Sequence, residues 1–284
     1  MEFKASYDTL VLSGCSTKGF ILLGALQYAM DAKMLSKIET YIGTSAGAFI
    51  CYLMCIGYSP LDIIVYLSTN QTLERMHSLN IIAMLQGKGA SSFQPLQEHL
   101  EKLSIDKLGY LPTLKSLKDN LGKKFVCVTY NLSEDKCEYL SADTYPDMPC
   151  LTALRMSANL PFIFDTFKYG KHFYIDGGIV DNFALPVAES YGEKVLGVLI
   201  NPLEPTEYIV DGSKMDTAEY LYKLIFIPVY NITQKIVAAA TDKSTVIELK
   251  TCLKKKFFNF DLGSTEKLEL YVDGYNQMKK ICTS

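Results

Sequence analysis

Arginine and histidine are close to absent from this sequence of 284 residues. Arg75 and Arg155 are the two exceptions in a basic set of 28 that is otherwise lysine, and the formal net charge is −3. Arginine's planar fork reads guanine bidentately, so this balance argues against a nucleic-acid partner. The histidines are His77, His99 and His172, with none later in the chain. No CxxC pair occurs among the eight cysteines, at positions 15, 51, 55, 127, 137, 150, 252 and 282. Cys51 and Cys55, four apart in an apolar helical pattern, read as core, because no His or third Cys stands nearby to complete a metal site. No metal or cofactor is expected.

The opening MEFKASYDTLVLSG has no apolar stretch bounded by a cleavage site, so no signal peptide is expected. A cytoplasmic chain follows, with reduced cysteines and any membrane contact peripheral. The Asn-x-Ser/Thr sequons at Asn131 and Asn231 then carry little meaning. Nor is there an uninterrupted run of about 20 apolar residues of the kind that spans a membrane. One apolar region is broken by Gly57, Pro60 and Asp62, the other by Lys223, Pro228, Asn231 and Lys235.

What is present is a globular composition, 49% hydrophobic and 12% aromatic. Short apolar runs at 9–14 and 38–43 alternate with helical patterns at 20–35 and 46–57, the second closed by Gly57. That order predicts βαβ units and a parallel sheet. Pro60 opens a further helix, and 71–118 reads as mostly helical core. Strands follow at 124–132 and 136–143, a helix at 150–160, and strands at 172–178 and 194–200. A long helical stretch at 213–240, a strand at 244–249 and a helix at 264–282 close the chain. No repeat or linker interrupts it. The expectation is one domain over 1–284, with a core at about 8–200 and an extension at 201–284. The lysine-rich run KKKFF at 254–258 reads as a solvated loop.

The stretch YIGTSAGAFI holds the first chemical signal. Gly43, Ser45 and Gly47 fit G-x-S-x-G between a predicted strand and helix. A nucleophile at such a turn sits in strained backbone, small neighbours give it room, and the helix amides favour developing negative charge. The same five residues also suit a structural turn, so the pattern needs a base and an oxyanion hole.

Histidine does not supply the base. An α/β-hydrolase triad needs a late His, and too little chain precedes Ser45 for that fold. A carboxylate is the alternative. In FYIDGGIVDNF, Asp176 ends a strand before two glycines, with Asp181 competing for the role. The loop Gly14-Cys15-Ser16-Thr17-Lys18-Gly19, between the first strand and helix, fails as a P-loop and as a dinucleotide fingerprint. Its backbone amides can face an oxyanion, and Lys18 can add charge for that oxyanion or for a phosphate.

Taken together, LVLSGCSTKGFILLGAL, YIGTSAGAFI, ALRMSANLPFIF and YIDGGIVDNFALPV resemble the patatin-like phospholipase family over residues 10 to 187. The resemblance implies a three-layer α/β/α sandwich with a mainly parallel sheet. It also implies a Ser45–Asp176 dyad and an oxyanion hole at Gly14, Cys15 and Ser16. The expected chemistry is hydrolysis of phospholipid or other acyl-lipid esters at a membrane surface, without calcium at the active site. The family's first loop reads G-G-G-x-[RK]-G, so Cys15 and Ser16 replace two glycines, and a side chain there is unfavourable wherever φ is positive. Two alternatives follow: a binding or regulatory protein on the same fold with weakened hydrolysis, and a lipid acyltransferase.

Overall fold

The structure is a computed structural model that describes residues 6–70, 91–202, 217–251 and 262–284. Its layering follows from strand alternation, because successive side chains point to opposite faces and both faces here are apolar. Leu10 and Leu12 of β1 (Thr9–Leu12) join one core and Val11 the other. Tyr41 and Ile42 of β2 (Thr40–Thr44) divide the same way. So do Phe125 and Cys127 against Val126 and Val128 in β3 (Lys124–Asn131).

The first core is covered by α1 (Gly19–Asp31), α2 (Ala46–Cys55) and α9 (Ser264–Thr283), the second by α7 (Leu185–Tyr191) and α8 (Thr217–Ala238). The fold is therefore the expected three-layer α/β/α sandwich. The remaining helices are α3 (Pro60–Thr69), α4 (Gln94–Leu108), α5 (Leu114–Leu121) and α6 (Cys150–Ser157).

The other strands are β4 (Lys136–Leu140), β5 (Phe167–Tyr169), β6 (His172–Asp176), β7 (Val195–Pro202) and β8 (Ser244–Thr251). The order is β5-β6-β3-β2-β1-β7-β8, with β4 also on β3. Neighbours among β3, β2, β1, β7 and β8 are parallel; β4, β5 and β6 enter antiparallel. One edge of β3 is divided. Its first half pairs β2, ending at Thr44↔Val128, and its last residues pair β6, beginning at Thr129↔Asp176. Since β4 takes residues 127–131 on the opposite edge, β6 continues the line of β2 from the far end. Asp176 thus reaches the sheet's carboxyl edge on a reversed strand, which the expectation of a parallel sheet did not foresee.

Several boundaries differ from expectation. α1 stops at Asp31 rather than running to 35, because Lys33 turns left-handed (φ 59°) and the Met34 N–H returns to the Ala29 carbonyl. No glycine announces that stop. Strand β5 and helix α7 were not foreseen, being too short to show a period. Residues 71–90 of the middle segment, the 254–258 run, Arg75, His77 and Cys252 lie outside the described residues. The seven described cysteines are free, and Cys51 and Cys55 are core as expected. No helix among the described residues is long and apolar enough to cross a membrane; α2 and α3 qualify only as a pair bent by 118°.

Helices α1 and α9 meet backbone to backbone. A Cβ on Gly24 would lie 1.8 Å from the Tyr271 carbonyl oxygen, and one on Gly274 would lie 2.0 Å from that of Ile21. Both obstacles are main chain and cannot swing aside. Gly274→Ala should therefore destabilise the fold by about 1–3 kcal/mol, read as a lowered urea midpoint at unchanged m.

Candidate active site

Ser45 follows β2 directly and opens α2 with φ 53° and ψ −120°, a conformation that side-chain-bearing residues avoid. The surroundings hold it there. Its N–H donates to Ser157 Oγ at 3.0 Å, and its carbonyl accepts from Ala48 N–H at 2.9 Å. The two flanking glycines are needed for close approach. A Cβ on Gly43 would lie 2.5 Å from the Ala48 nitrogen, and one on Gly47 would lie 2.5 Å from the Ser13 oxygen.

Because β6 ends where β2 ends, coming from the opposite direction, Asp176 comes down beside this turn. Ser45 Oγ donates to Asp176 Oδ2 at 2.6 Å across 131 residues of sequence. The other carboxylate oxygen, Oδ1, accepts the Gly178 N–H at 2.7 Å. Asp176 is buried, and burial pushes its carboxyl up to about 6 against the opposing pull of those two hydrogen bonds. Asp181, the rival acid, is turned elsewhere: it accepts from Tyr139 Oη at 2.8 Å and from Phe183 N–H at 3.2 Å. Neither described histidine bonds to Ser45 or Asp176. His99 Nδ1 pairs with Tyr66 Oη at 2.6 Å, and His172 Nδ1 stands 3.5 Å from Glu134.

The end of α6 and the two residues after it hold both halves of this pair, through residues that sequence reasoning missed. Ser157 takes the Ser45 amide, and the Asn159 carbonyl takes the Asp176 N–H at 2.9 Å. Asn159 Nδ2 donates to the Tyr174 carbonyl at 2.6 Å, fixing β6 a second time. Arg155 in turn donates to Asn159 Oδ1 at 2.5 Å and to the Asp165 carbonyl at 2.9 Å. Its buried guanidinium lies over the rings of Phe93, Phe167 and Phe164, and burial pulls its pKa down to about 10, so it stays charged. The only sequence signal was an arginine and a serine in one short apolar helix, with an asparagine just after it.

The first-strand loop abuts Ser45. A Cβ on Gly14 would lie 3.4 Å from Ser45 Cβ and 2.5 Å from Asn182 Oδ1. Asn182 ties this loop to the Asp176 segment: it donates from Nδ2 to the Gly14 carbonyl and accepts the Gly14 N–H, both at 3.1 Å. The Gly14 amide is thereby occupied. The amides of Cys15 and Ser16 have no partner among the described residues. Cys15 sits at φ −155°, which suits any residue, whereas Ser16 adopts φ 51°. Of the two replaced glycines, only the second position calls for left-handed backbone. Lys18 ends the same turn; burial pulls its ammonium down, and it makes no ion pair among the described residues. Nor does any cluster of three metal-ligating side chains occur among them.

Comparison with known proteins adds the following. The family described as patatin-like phospholipase matches residues 10–189. "Probable lipid hydrolase 463L" of Invertebrate iridescent virus 6 is 34% identical over 194 residues, covering 66% of this chain and 65% of the relative. Two solved structures share the fold: VipD from Legionella pneumophila and ExoU from Pseudomonas aeruginosa. VipD has a TM-score of 0.56 at 16% identity, with 98% of this chain and 67% of VipD covered. ExoU, in complex with SpcU, has a TM-score of 0.50 at 14% identity, with 99% and 53% covered. The chain thus spans less than two thirds of the viral relative and about half of ExoU.

A carboxyl whose folded pKa is raised binds more protons folded than unfolded between the ordinary aspartate value of about 3.9 and about 6. Its ionisation therefore lowers stability as pH rises through that window. Asp176→Asn should be more stable than wild type at pH 8, by at most about 3 kcal/mol, and the gain should vanish near pH 4. Thermal unfolding at both pH values checks this. Ser16→Gly should add about 0.5–1 kcal/mol by relieving the left-handed serine, measured by denaturant titration.

Proposed function

The chain belongs to the patatin-like phospholipase family, and from that premise we propose that it is a serine lipid acyl hydrolase acting on fatty-acyl esters of phospholipids or lysophospholipids. The observation that carries this reading is the 2.6 Å hydrogen bond from Ser45 Oγ to a buried Asp176. A carboxyl lifted to about 6 is ionised at neutral pH and is a stronger base than an ordinary aspartate. Histidine is then not required.

In this mechanism Asp176 Oδ2 takes the hydroxyl proton while Ser45 Oγ attacks the ester carbonyl. The carbonyl oxygen becomes an anion. The free amides of Cys15 and Ser16 receive it, helped by the N-terminal end of α2. When the tetrahedral intermediate collapses, Asp176 returns the proton to the leaving alcohol and the acyl group remains on Ser45. Water, deprotonated by the same carboxylate, then cleaves that ester and frees the fatty acid. Gly14 contributes space beside Ser45, and its own amide keeps Asn182 in place. Lys18 adds positive charge near the loop for a lipid phosphate. The lipid-hydrolase name of the viral relative supports the same substrate class.

The reading of a binding protein with weakened hydrolysis rests on Cys15 and Ser16. It is disfavoured because Ser16 itself takes the left-handed conformation, while the amides of Cys15 and Ser16 have no partner among the described residues. Acyl transfer shares every step up to the acyl-enzyme and differs only in the acceptor.

A fluorophosphonate probe should label the wild type and leave Ser45→Ala unlabelled; equal labelling of both would remove Ser45 from the mechanism. On a soluble ester, kcat/KM should rise with pH through an apparent pKa near 6, and Asp176→Asn should lose about 10²–10⁴-fold in kcat. Asn159→Ala should lower kcat by about tenfold or more with KM little changed, because it frees the strand that carries the base. Restoring glycine at positions 15 and 16 should change activity less than about tenfold; a larger gain favours the binding-protein reading.

A further inference from the structure

Five large apolar side chains of α8 are exposed, and four more lie exposed on the β5–β6 hairpin and the two turns that border it. Strand register fixes where these elements stand. Asp176 lies one residue beyond Thr44 along β3, and Asn201 lies three beyond Val198, which aligns with Leu12 and Gly43. Asn201 is therefore one step past the level of Asp176.

Helix α8 joins the parallel strands β7 and β8, so it runs back against them and its N-terminal end points past the carboxyl edge. Gln234 Nε2 donates to Asn201 Oδ1 at 3.0 Å, which pins that level near the helix's last turn. The helix upstream of Gln234, back to Thr217, is about 25 Å long at the α-helical rise. Most of α8 consequently stands beyond the Ser45–Asp176 pair, and the helix also packs against Gly177–Ile179.

On this projecting part Tyr220, Leu224 and Ile227 recur at i, i+4 and i+7, each about half exposed. They form one stripe, opposite the buried Val229 and Thr233. The β5–β6 hairpin rises past Asp176 as well, by roughly 13 Å from Asp176 to His172. Its exposed Phe173 and the adjoining Leu132 lie on the sheet face that α8 covers, in the alternation of Tyr130 and Val128. Lys168 Nζ sits 5.5 Å from the centre of the Phe173 ring, and Lys171 is exposed at the hairpin tip. Glu134, the nearest carboxylate on the neighbouring turn, is paired with Lys136 at 2.6 Å.

We propose that α8 and the β5–β6 hairpin together dock the protein on a phospholipid surface, with the Tyr220–Leu224–Ile227 stripe and Phe173 entering the hydrocarbon boundary. The inference rests on the lipid-ester reading above, which gives the dyad a substrate held in such a surface. The chemistry of the patch matches the layers it would meet. Leu224 and Ile227 suit the acyl region, tyrosines suit the interface, and the exposed Lys168 and Lys171 offer positive charge to headgroup phosphates. Docking there holds the lipid beside the edge that carries Ser45, which shortens the path of an ester to it.

The test uses the full chain carrying Ser45→Ala, so that binding is read without hydrolysis. It is sedimented with phosphatidylcholine vesicles, with and without phosphatidylserine. Binding is expected, and adding Leu224→Glu with Ile227→Glu should weaken it by about tenfold or more. Phe173→Ser should weaken it less, and Lys168→Glu with Lys171→Glu should remove only the gain due to phosphatidylserine. In the Ser45-containing chain the helix pair of substitutions should leave hydrolysis of a soluble short-chain ester within about twofold while vesicle substrate is spared. The proposal fails if the chain binds neither vesicle. It fails equally if the helix variant binds as the parent does, or if size exclusion finds a dimer that this variant splits, since the stripe then covers a second copy. Vesicle binding that depends on Leu224 and Ile227 in a chain that cleaves no ester would uphold the docking surface and overturn the hydrolase reading.

Discussion

The divided edge of β3 is the constraint on which the site depends. Strand β2 stops at Thr44 because the chain must turn sharply at Ser45, and the hydrogen-bonding groups of β3 beyond Val128 would then be left without a neighbour. Strand β6 takes them from the opposite direction. A buried β-strand edge does not remain unpaired, since each orphaned amide or carbonyl is costly. Satisfying that edge brings the end of β6, and with it Asp176, within hydrogen-bonding distance of Ser45. The proposed nucleophile and base meet because two strands share a third.

That encounter would be loose without the groups around it. Ser157, Asn159 and Arg155 come from one helix end and fix the main chain of both partners, so the distance between Ser45 and Asp176 is set by backbone contacts. Asn182 does the same between the Gly14 loop and the Asp176 segment. The energetic logic is that of a pre-organised site. A strained serine and a buried carboxyl both cost stability, and a dense polar network with a large apolar core offsets that cost. Arg155 belongs to the same scheme. It is buried, no carboxylate among the described residues hydrogen-bonds to it, and three aromatic rings together with two oxygen acceptors hold its charge.

Legibility from sequence followed the length scale of each feature. The βαβ order, the Ser45 turn and the strand ending at Asp176 could be read because period and glycine placement are local properties. The end of α1 could not, because Lys33 adopts a left-handed conformation that glycine usually announces. The reversed direction of β6 was also hidden, since a five-residue strand carries no mark of whether its neighbour runs with it or against it. Cys15 and Ser16 looked equally unsuited to the loop, and only the backbone angles separate them. In Arg155, Ser157 and Asn159 the residue types were visible while their burial and partners were not.

By itself the sequence determined the βαβ order, the family resemblance with the sandwich it implies, and the candidates Ser45, Asp176 and Asp181, because alternation, turn chemistry and motif order are written along the chain. Tertiary structure decided that Asp176 and not Asp181 faces Ser45, that the Gly14 amide is spent on Asn182, and that the apolar stripe of α8 stands beyond the edge that carries Ser45. Each of these is a relation between segments far apart in sequence. It depends on strand register and direction, which a pattern of residue types along one segment does not encode.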